Sequence, residues 1–218
     1  VLPHGRVGQS PTAIVADTTK GKMGPWKNQV YVAEQCHSQI QRVCLEKVNG
    51  LYQGAVFQFL EGFESGLIPM RLDATGVIFT GGSNRGWASR GTKTFTFERV
   101  KWTGKTPFEV LTMSATSDGF DLTFTSPVDA AAAGNPSSYD MNAWTYILQS
   151  SYGSPEVDVS KPTVVSATVS PDKLKVKLKV DGRVRGNVHQ LIINGVKSEK
   201  GEELWHNQGY YTLNEIPK

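Results

Sequence analysis

Hydrophobic and polar residues alternate along this chain in short runs, and Gly, Asn, Asp or Pro closes each run after ten residues or so. Sustained helical spacing is almost absent, so the pattern predicts an all-β protein. In the first half it predicts strands over 29–34, 39–48, 53–59, 67–72, 76–80 and 94–102, with turns at 36–38, 49–50, 73–75 and 81–91. Downstream, runs over 108–115, 119–125, 143–148, 163–170, 173–180, 188–193 and 210–213 are spaced like the strands of a sandwich. The clearest is 173–180, where Lys173, Lys175, Lys177 and Lys179 alternate with Leu174, Val176, Leu178 and Val180, one face for solvent and one for a core. The lysine row reads as a solubilised face or a guarded edge rather than a polyanion site. One helical turn is predicted over 127–134, where Asp129 leads Ala130 to Ala133 and Gly134 stops it. Ser10-Pro11 and Ser154-Pro155 read as turn initiators.

The segment Asp73-Ala74-Thr75-Gly76 joins two apolar runs as a hairpin turn whose glycine can take positive φ. Similar hairpins repeat radially in β-propellers. Residues 30–33 with 40–45 read as the inner part of one blade, and 67–80 with 95–102 as the next. Two blades cannot close a ring of about four to eight. The propeller reading therefore places the missing blades on another polypeptide or on chain outside this segment. The turn-rich stretch Trp102-Thr103-Gly104-Lys105-Thr106-Pro107 marks a joint, which divides the chain into 1–106, a partial propeller of about two blades, and 107–218, a sandwich.

Composition narrows the function classes. The 218 residues carry 23 Lys and Arg against 20 Asp and Glu, a formal charge of +3, too small and too dispersed to be a nucleic-acid footprint. No run reaches the roughly 18 apolar residues of a membrane helix. The chain opens at Val1 without a basic-then-apolar leader, and so reads as a mature or excised segment that does not span a membrane. Cys36 and Cys44, the only two cysteines, are spaced C-x7-C; a turn at His37-Ser38 pairs Cys36 with a residue before Cys44, which argues against a bridge. With no CxxC and no second pair, zinc and redox chemistry have little support, and the metal expectation is none.

The stretch from Asp118 through Asp129, followed by Asn135-Pro136-Ser137-Ser138-Tyr139 and by the Ile-Asn-Gly-Val ending of 188–196, resembles bacterial surface Ig-like domains. That resemblance implies an Ig-like β-sandwich and no catalytic residue in the second half. Across nearly its whole length the chain also resembles the C-terminal part of large secreted bacterial proteins of planctomycete and Bacteroidetes type, related to glucose/sorbosone dehydrogenases. Gly24-Pro25-Trp26, Val30-Tyr31-Val32, Tyr52-Gln53-Gly54-Ala55, Asn84-Arg85-Gly86-Trp87, Trp102 to Phe108, Tyr152 to Glu156 and Tyr210 to Asn214 are among the residues that carry it.

The resemblance implies the C-terminal portion of an extracytoplasmic, quinone-dependent sugar-dehydrogenase-like propeller protein, periplasmic or cell-surface. Its partners are the remaining blades or other chains of an assembly, and carbohydrate. In the complete protein it implies a quinone (PQQ) and calcium; in this chain it implies no cofactor, and no C-x-x-C-H is present for a covalent haem. This chain would be scaffold and one wall of a pocket, with catalytic residues outside it.

Such a reaction needs a base for a hydroxyl proton and cations around the quinone oxygens. His37, Arg71, Arg85 and Arg90 are the available groups, although His37 does not match the family's catalytic histidine and reads first as a turn cap. Trp87 and Arg85 stand in a glycine-framed loop suited to stacking a sugar ring and bonding its hydroxyls, or to packing between blades. The substrate-binding candidates are therefore Arg85, Trp87, His37 and Arg71. Glu61, Glu64 and Asp73 fall on separate turns and make no carboxylate pair for glycoside hydrolysis. From a different class comes the reading of a non-enzymatic cell-surface assembly or carbohydrate-binding module. Trp144, Tyr146, Tyr152 and the aromatics of 205–211 would then be a glycan platform or the seal of a domain joint.

Overall fold

A computed structural model of the chain describes residues 1–151 and 153–218. Among the described residues the protein is all-β, built of antiparallel sheets, none of them closed, with one short α-helix and one 3-10 turn. It divides into two compact units. The first comprises Leu2–Cys44 and Val56–Thr106; the second comprises Val1, Leu45–Ala55 and Pro107–Lys218.

The first unit holds β1 (Pro11–Ala16), β2 (Val30–Glu34), most of β3 (Gln39–Val48), the second half of β4 (Leu51–Leu60), β5 (Leu67–Leu72), β6 (Ile78–Ser83) and β7 (Phe95–Val100). Its strands form the order β1-β2-β3-β4 and a separate meander β5-β6-β7. Strand β2 lies antiparallel to β3 in the register Glu34 opposite Gln39 and Val30 opposite Val43. Both faces of β2 and of the part of β3 that pairs with it are buried, which is why β2 shows no alternation of exposure. One side receives β5, which packs on β1 and β2. The core gathers Trp26, Tyr31, Ile40, Phe59, Met70 and Ile78, with the Phe59 ring 4.8 Å from Trp26 and 5.3 Å from Tyr31.

A fully buried Arg42 lies in this core. Its guanidinium stands 4.7 Å over the Phe57 ring and donates to Gln29 Oε1 at 2.8 Å. A hydrogen-bonded, ring-stacked guanidinium can be buried where an ammonium could not, because it is delocalised and weakly hydrated.

The second unit holds β8 (Val110–Ala115), β9 (Gly119–Phe124), α1 (Ala130–Ala133), β10 (Tyr139–Tyr146), β11 (Glu156–Ser160), β12 (Thr163–Val169), β13 (Lys175–Asp181), β14 (Val188–Ile193) and β15 (Gln208–Thr212). One sheet runs β12-β13-β9-β8; in the other, β4 is followed by β15-β14-β10-β11. The sheets pack face to face, with Phe120 of β9 5.1 Å from Tyr211 and 5.9 Å from His189. The predicted helical turn is present, with Asp129 Oδ1 accepting from the Ala132 N–H at 2.8 Å and Gly134 as C-cap.

Strand β13 starts at Lys175, because Lys173 turns the chain with φ of 56°. Lys175, Lys177 and Lys179 are exposed while Val176, Leu178 and Val180 are buried. The strand is internal, so its lysines are a solvated face and not an edge guard. Strands β1 and β11 have no counterpart in the sequence pattern. Each is an edge strand that begins at or just after a Ser-Pro pair. Proline is tolerated there because an edge strand can spare one donor.

Candidate functional site

In the first unit three loops converge. The β2–β3 turn carries His37 and Ser38, the β4–β5 loop carries Glu61 and Glu64, and the long β6–β7 loop carries Arg85, Trp87, Arg90 and Lys93. Between them lies a groove of about 440 Å³ lined by His37, Ser38, Glu61, Glu64, Arg90 and Lys93.

Hydrogen bonds hold the long loop against the others. The Arg90 N–H donates to Cys36 O at 2.9 Å, the Gly91 N–H to Ser38 Oγ at 2.9 Å, and Gln35 Nε2 to Trp87 O at 3.0 Å. Asn84 is the hub: its Oδ1 accepts from the Gly66 N–H and from Ser89 Oγ, and its Nδ2 donates to Gly91 O and Lys93 O. Gly91 is required by close approach, because a Cβ there would lie 2.4 Å from the backbone carbon of Glu64.

The turn at His37 is fixed from beneath by Glu34. That fully buried carboxylate accepts from the N–H groups of Gln9, Ser10 and His37. The His37 ring is half-buried, with Nδ1 3.4 Å from Gln39 Nε2. His37 thus lines the groove, while its turn is capped by the Glu34 carboxylate and not by the His37 ring.

Charges in the groove balance. Lys93 pairs with Glu64 at 2.6 Å, and Arg90 and Glu61 contribute one charge each. Glu61 and Glu64 line the same groove although they read as separate turns in the sequence. Glu64 is paired with Lys93, and Glu61 stands on the same loop. Asp73 belongs to the β5–β6 turn, where hydrogen bonds from Thr75 and Val77 hold its carboxyl below the usual range.

The four substrate-binding candidates divide. His37 lines the groove; Arg85 and Trp87 project from the same loop that supplies Arg90, and Trp87 is 62% exposed instead of packed. Arg71 is elsewhere, on the outer face of β5 opposite Phe79 of β6. That face also carries Phe95 and Phe97 of β7, both exposed.

In the second unit Trp144, Tyr210 and Tyr211 are core residues. Trp205 is half-exposed and stacks on His206, whose Nδ1 is 2.6 Å from the buried Glu109 carboxylate. Tyr152 lies outside the described residues. Of the proposed aromatic platform, Trp205 is the large ring that faces solvent, with Tyr146 half-buried. Cys36 and Cys44 are free thiols. Among the described residues no three His, Cys, Asp or Glu side chains gather as a metal site, and no helix is long and apolar enough to cross a membrane.

No family model matches the chain, and no curated protein matches it. Two solved structures are similar to part of it: the N-terminal part of the bacterial S-layer protein SbsC, and domains 1–6 of surface layer protein SbsC. Each is 22% identical, with a TM-score of 0.38 over 52% of this chain. The chain spans 25% and 14% of their respective lengths.

Proposed function

We propose that the chain is a non-catalytic binding module for a neutral, polyhydroxylated ligand, a carbohydrate, within a larger extracytoplasmic protein. The observation that carries this reading is the groove of His37, Glu61, Glu64, Arg90 and Lys93, with the exposed Trp87 and Arg85 on one of its loops. Donors and acceptors of both signs suit hydroxyls, an indole face suits a pyranose ring, and balanced charge gives no preference for an ion. The Ig-like reading of 107–218 is supported by two antiparallel sheets packed face to face. The blade reading of 1–106 is supported by the β5-β6-β7 meander. Secretion and attachment to further blades or chains rest on the resemblance alone.

The test is calorimetric titration with neutral cello-, xylo- and manno-oligosaccharides. One of them binds, and Trp87→Ala and Arg90→Gln each weaken it about tenfold with the melting temperature kept. Absence of binding to every neutral oligosaccharide removes the reading.

A second reading, a pocket wall of a quinone-dependent sugar-dehydrogenase-like protein, is favoured by one observation: His37 and Arg90 line the same groove. The groove's carboxylates do not fit calcium, because Glu64 is paired with Lys93. Quenching of Trp fluorescence by PQQ, lost in Arg90→Gln, supports this second reading; no quenching removes it.

A further inference from the structure

We propose that the outer face of the β5-β6-β7 sheet is a second binding surface, for an acidic polysaccharide whose sugar units carry carboxylates. The inference does not depend on the groove, with which this face shares no lining residue.

The register builds the face in rows. Arg71 of β5, Phe79 of β6 and Arg99 of β7 stand opposite one another; in the next row Gly81 faces Phe97, and beyond it Ser83 faces Phe95. Residues two apart on a strand share a face. The opposite face carries Met70, Ile78 and Thr80, all buried, and so is the covered one.

The outer face is aromatic and open. Phe95 and Phe97 are 77% and 78% exposed, and the Phe97 ring lies on Phe79 at 5.9 Å with 15° between planes. Pro69 fills the place where a side chain of Gly81 would stand, 2.8 Å from its ideal Cβ. Phe97, Gly81 and Pro69 thus make a low shelf closed at one end by Phe79. Rings this exposed contribute little to the fold, and contiguous apolar surface of this kind marks an interaction site.

Charge selects the occupant. Arg71 and Arg99 flank Phe79, about 9–10 Å apart across two strand spacings. Arg71 donates to its neighbour's carbonyl, Met70 O, at 2.9 Å, and neither guanidinium has a carboxylate in ion-pair range among the described residues. Glu98 is turned away, accepting from Thr96 Oγ1 and the Glu64 N–H. The paired strands of this face therefore offer cations and rings, and the acid at its end, Asp73 of the β5–β6 turn, is taken up by hydrogen bonds from Thr75 and Val77. A pyranose seated on Phe97 and the shelf would bring its carboxylate to a guanidinium fork, the geometry that binds carboxylates bidentately. A nucleic-acid strand would instead require a basic groove tracking each phosphate, which two guanidiniums in one row do not provide.

The experiment uses the whole chain in affinity electrophoresis and titration calorimetry against polygalacturonate, and against the same polymer with its carboxyls reduced to alcohols. Polygalacturonate is expected to bind at least tenfold tighter than the reduced polymer. The double variant Arg71→Gln/Arg99→Gln erases that preference, Phe97→Ala weakens both polymers, and Trp87→Ala with Arg90→Gln leaves polygalacturonate binding unchanged. All substituted side chains are exposed, and unchanged melting temperatures certify the fold. Equal binding of the two polymers overturns the acidic assignment, and no binding overturns the site. Tighter binding of an oligothymidylate, lost in the same variants, gives the face to nucleic acid. A dimer dissolved by Phe97→Ala gives it to a second copy of the chain.

Discussion

The Val184 N–H donates to Nε2 of His189 at 3.2 Å, while Nδ1 of the same ring is 3.2 Å from Asn187 O. One neighbour gives a proton and the other takes one, so the partners fix a neutral imidazole carrying its proton on Nδ1. The ring is fully buried against Phe120. A second proton on Nε2 would meet a donor in a dry site.

The acid stability of the chain follows from that ring. Burial pushes the His189 imidazole from 6.5 down to about 4; the hydrogen bond to Asn187 opposes this and the charge of Arg183 adds to it. In the unfolded chain the group takes up a proton near pH 6.5. The native state therefore keeps the full contribution above pH 6.5 and loses it as pH falls to about 4, a loss on the order of 3 kcal/mol. Denaturant titrations from pH 7.5 to 4 should show a decline that His189→Gln flattens. Equal slopes in the two proteins would refute the assignment.

Glu46 and Tyr211 are joined by a side-chain hydrogen bond. The buried Tyr211 hydroxyl donates to Glu46 Oε1, which also accepts from the Ala115 N–H at 2.7 Å. Burial, reinforced by the carboxylate, pushes the phenol well above its usual value, so it stays a donor at all working pH. Glu46→Ala strands both donors and should cost about 2–3 kcal/mol, and Glu46→Gln about 1 kcal/mol. A double-mutant cycle with Tyr211→Phe should give a coupling near 1 kcal/mol; zero coupling would mean that the bond is not formed in solution.

Alternation along the chain made most strands legible, because a half-buried strand must repeat every two residues. It failed where edges and faces decide. Pro11 and Pro155 read as turn initiators, yet Pro11 opens the edge strand β1, where its missing donor costs the ladder little, and Pro155 stands immediately before the edge strand β11. On β7 the sequence Phe95-Thr96-Phe97-Glu98 alternates cleanly, but period two cannot say which side is covered. Here the polar side, with Thr96 and Glu98, is the more enclosed one. The site was legible in part for a similar reason. His37 and the loop from Arg85 to Arg90 are distinctive locally, whereas the meeting of Glu61, Glu64 and Lys93 depends on three loops closing across the sheet ends. Arg71 reads like the other arginines, and strand pairing alone separates it from them.

The two thiols should behave unequally. Cys36 is half-buried in the turn, and Cys44 is buried five residues along β3 from Gln39. At about 3.3 Å per residue this separates them by roughly 16 Å, beyond the reach of a disulfide. Ellman's reagent should modify one thiol in the native protein and two in denaturant, and the intact mass should be unchanged by reductant. A mass shift of two protons on reduction would contradict this register.

Asn84 should control the binding loop more than the fold. Its amide satisfies donors from Gly66 and Ser89 and carbonyls of Gly91 and Lys93, so it closes the loop's two ends and ties them to the β4–β5 segment. Asn84→Ala removes all four bonds, and Asn84→Asp turns a carboxylate toward the two carbonyls in place of the amide donor. Because the loop is largely exposed, the expected global loss is modest, about 1–2 kcal/mol for alanine and more for aspartate. The local effect is larger, with faster hydrogen exchange over 85–92 and preferential tryptic cleavage at Arg85 and Arg90. Exchange that rises uniformly over the first unit would instead make Asn84 a residue of the core scaffold. If the loop alone opens and affinity for a neutral oligosaccharide falls with it, the hydrogen bonds of Asn84 set the groove, and the positions of Trp87 and Arg90 are inherited from them.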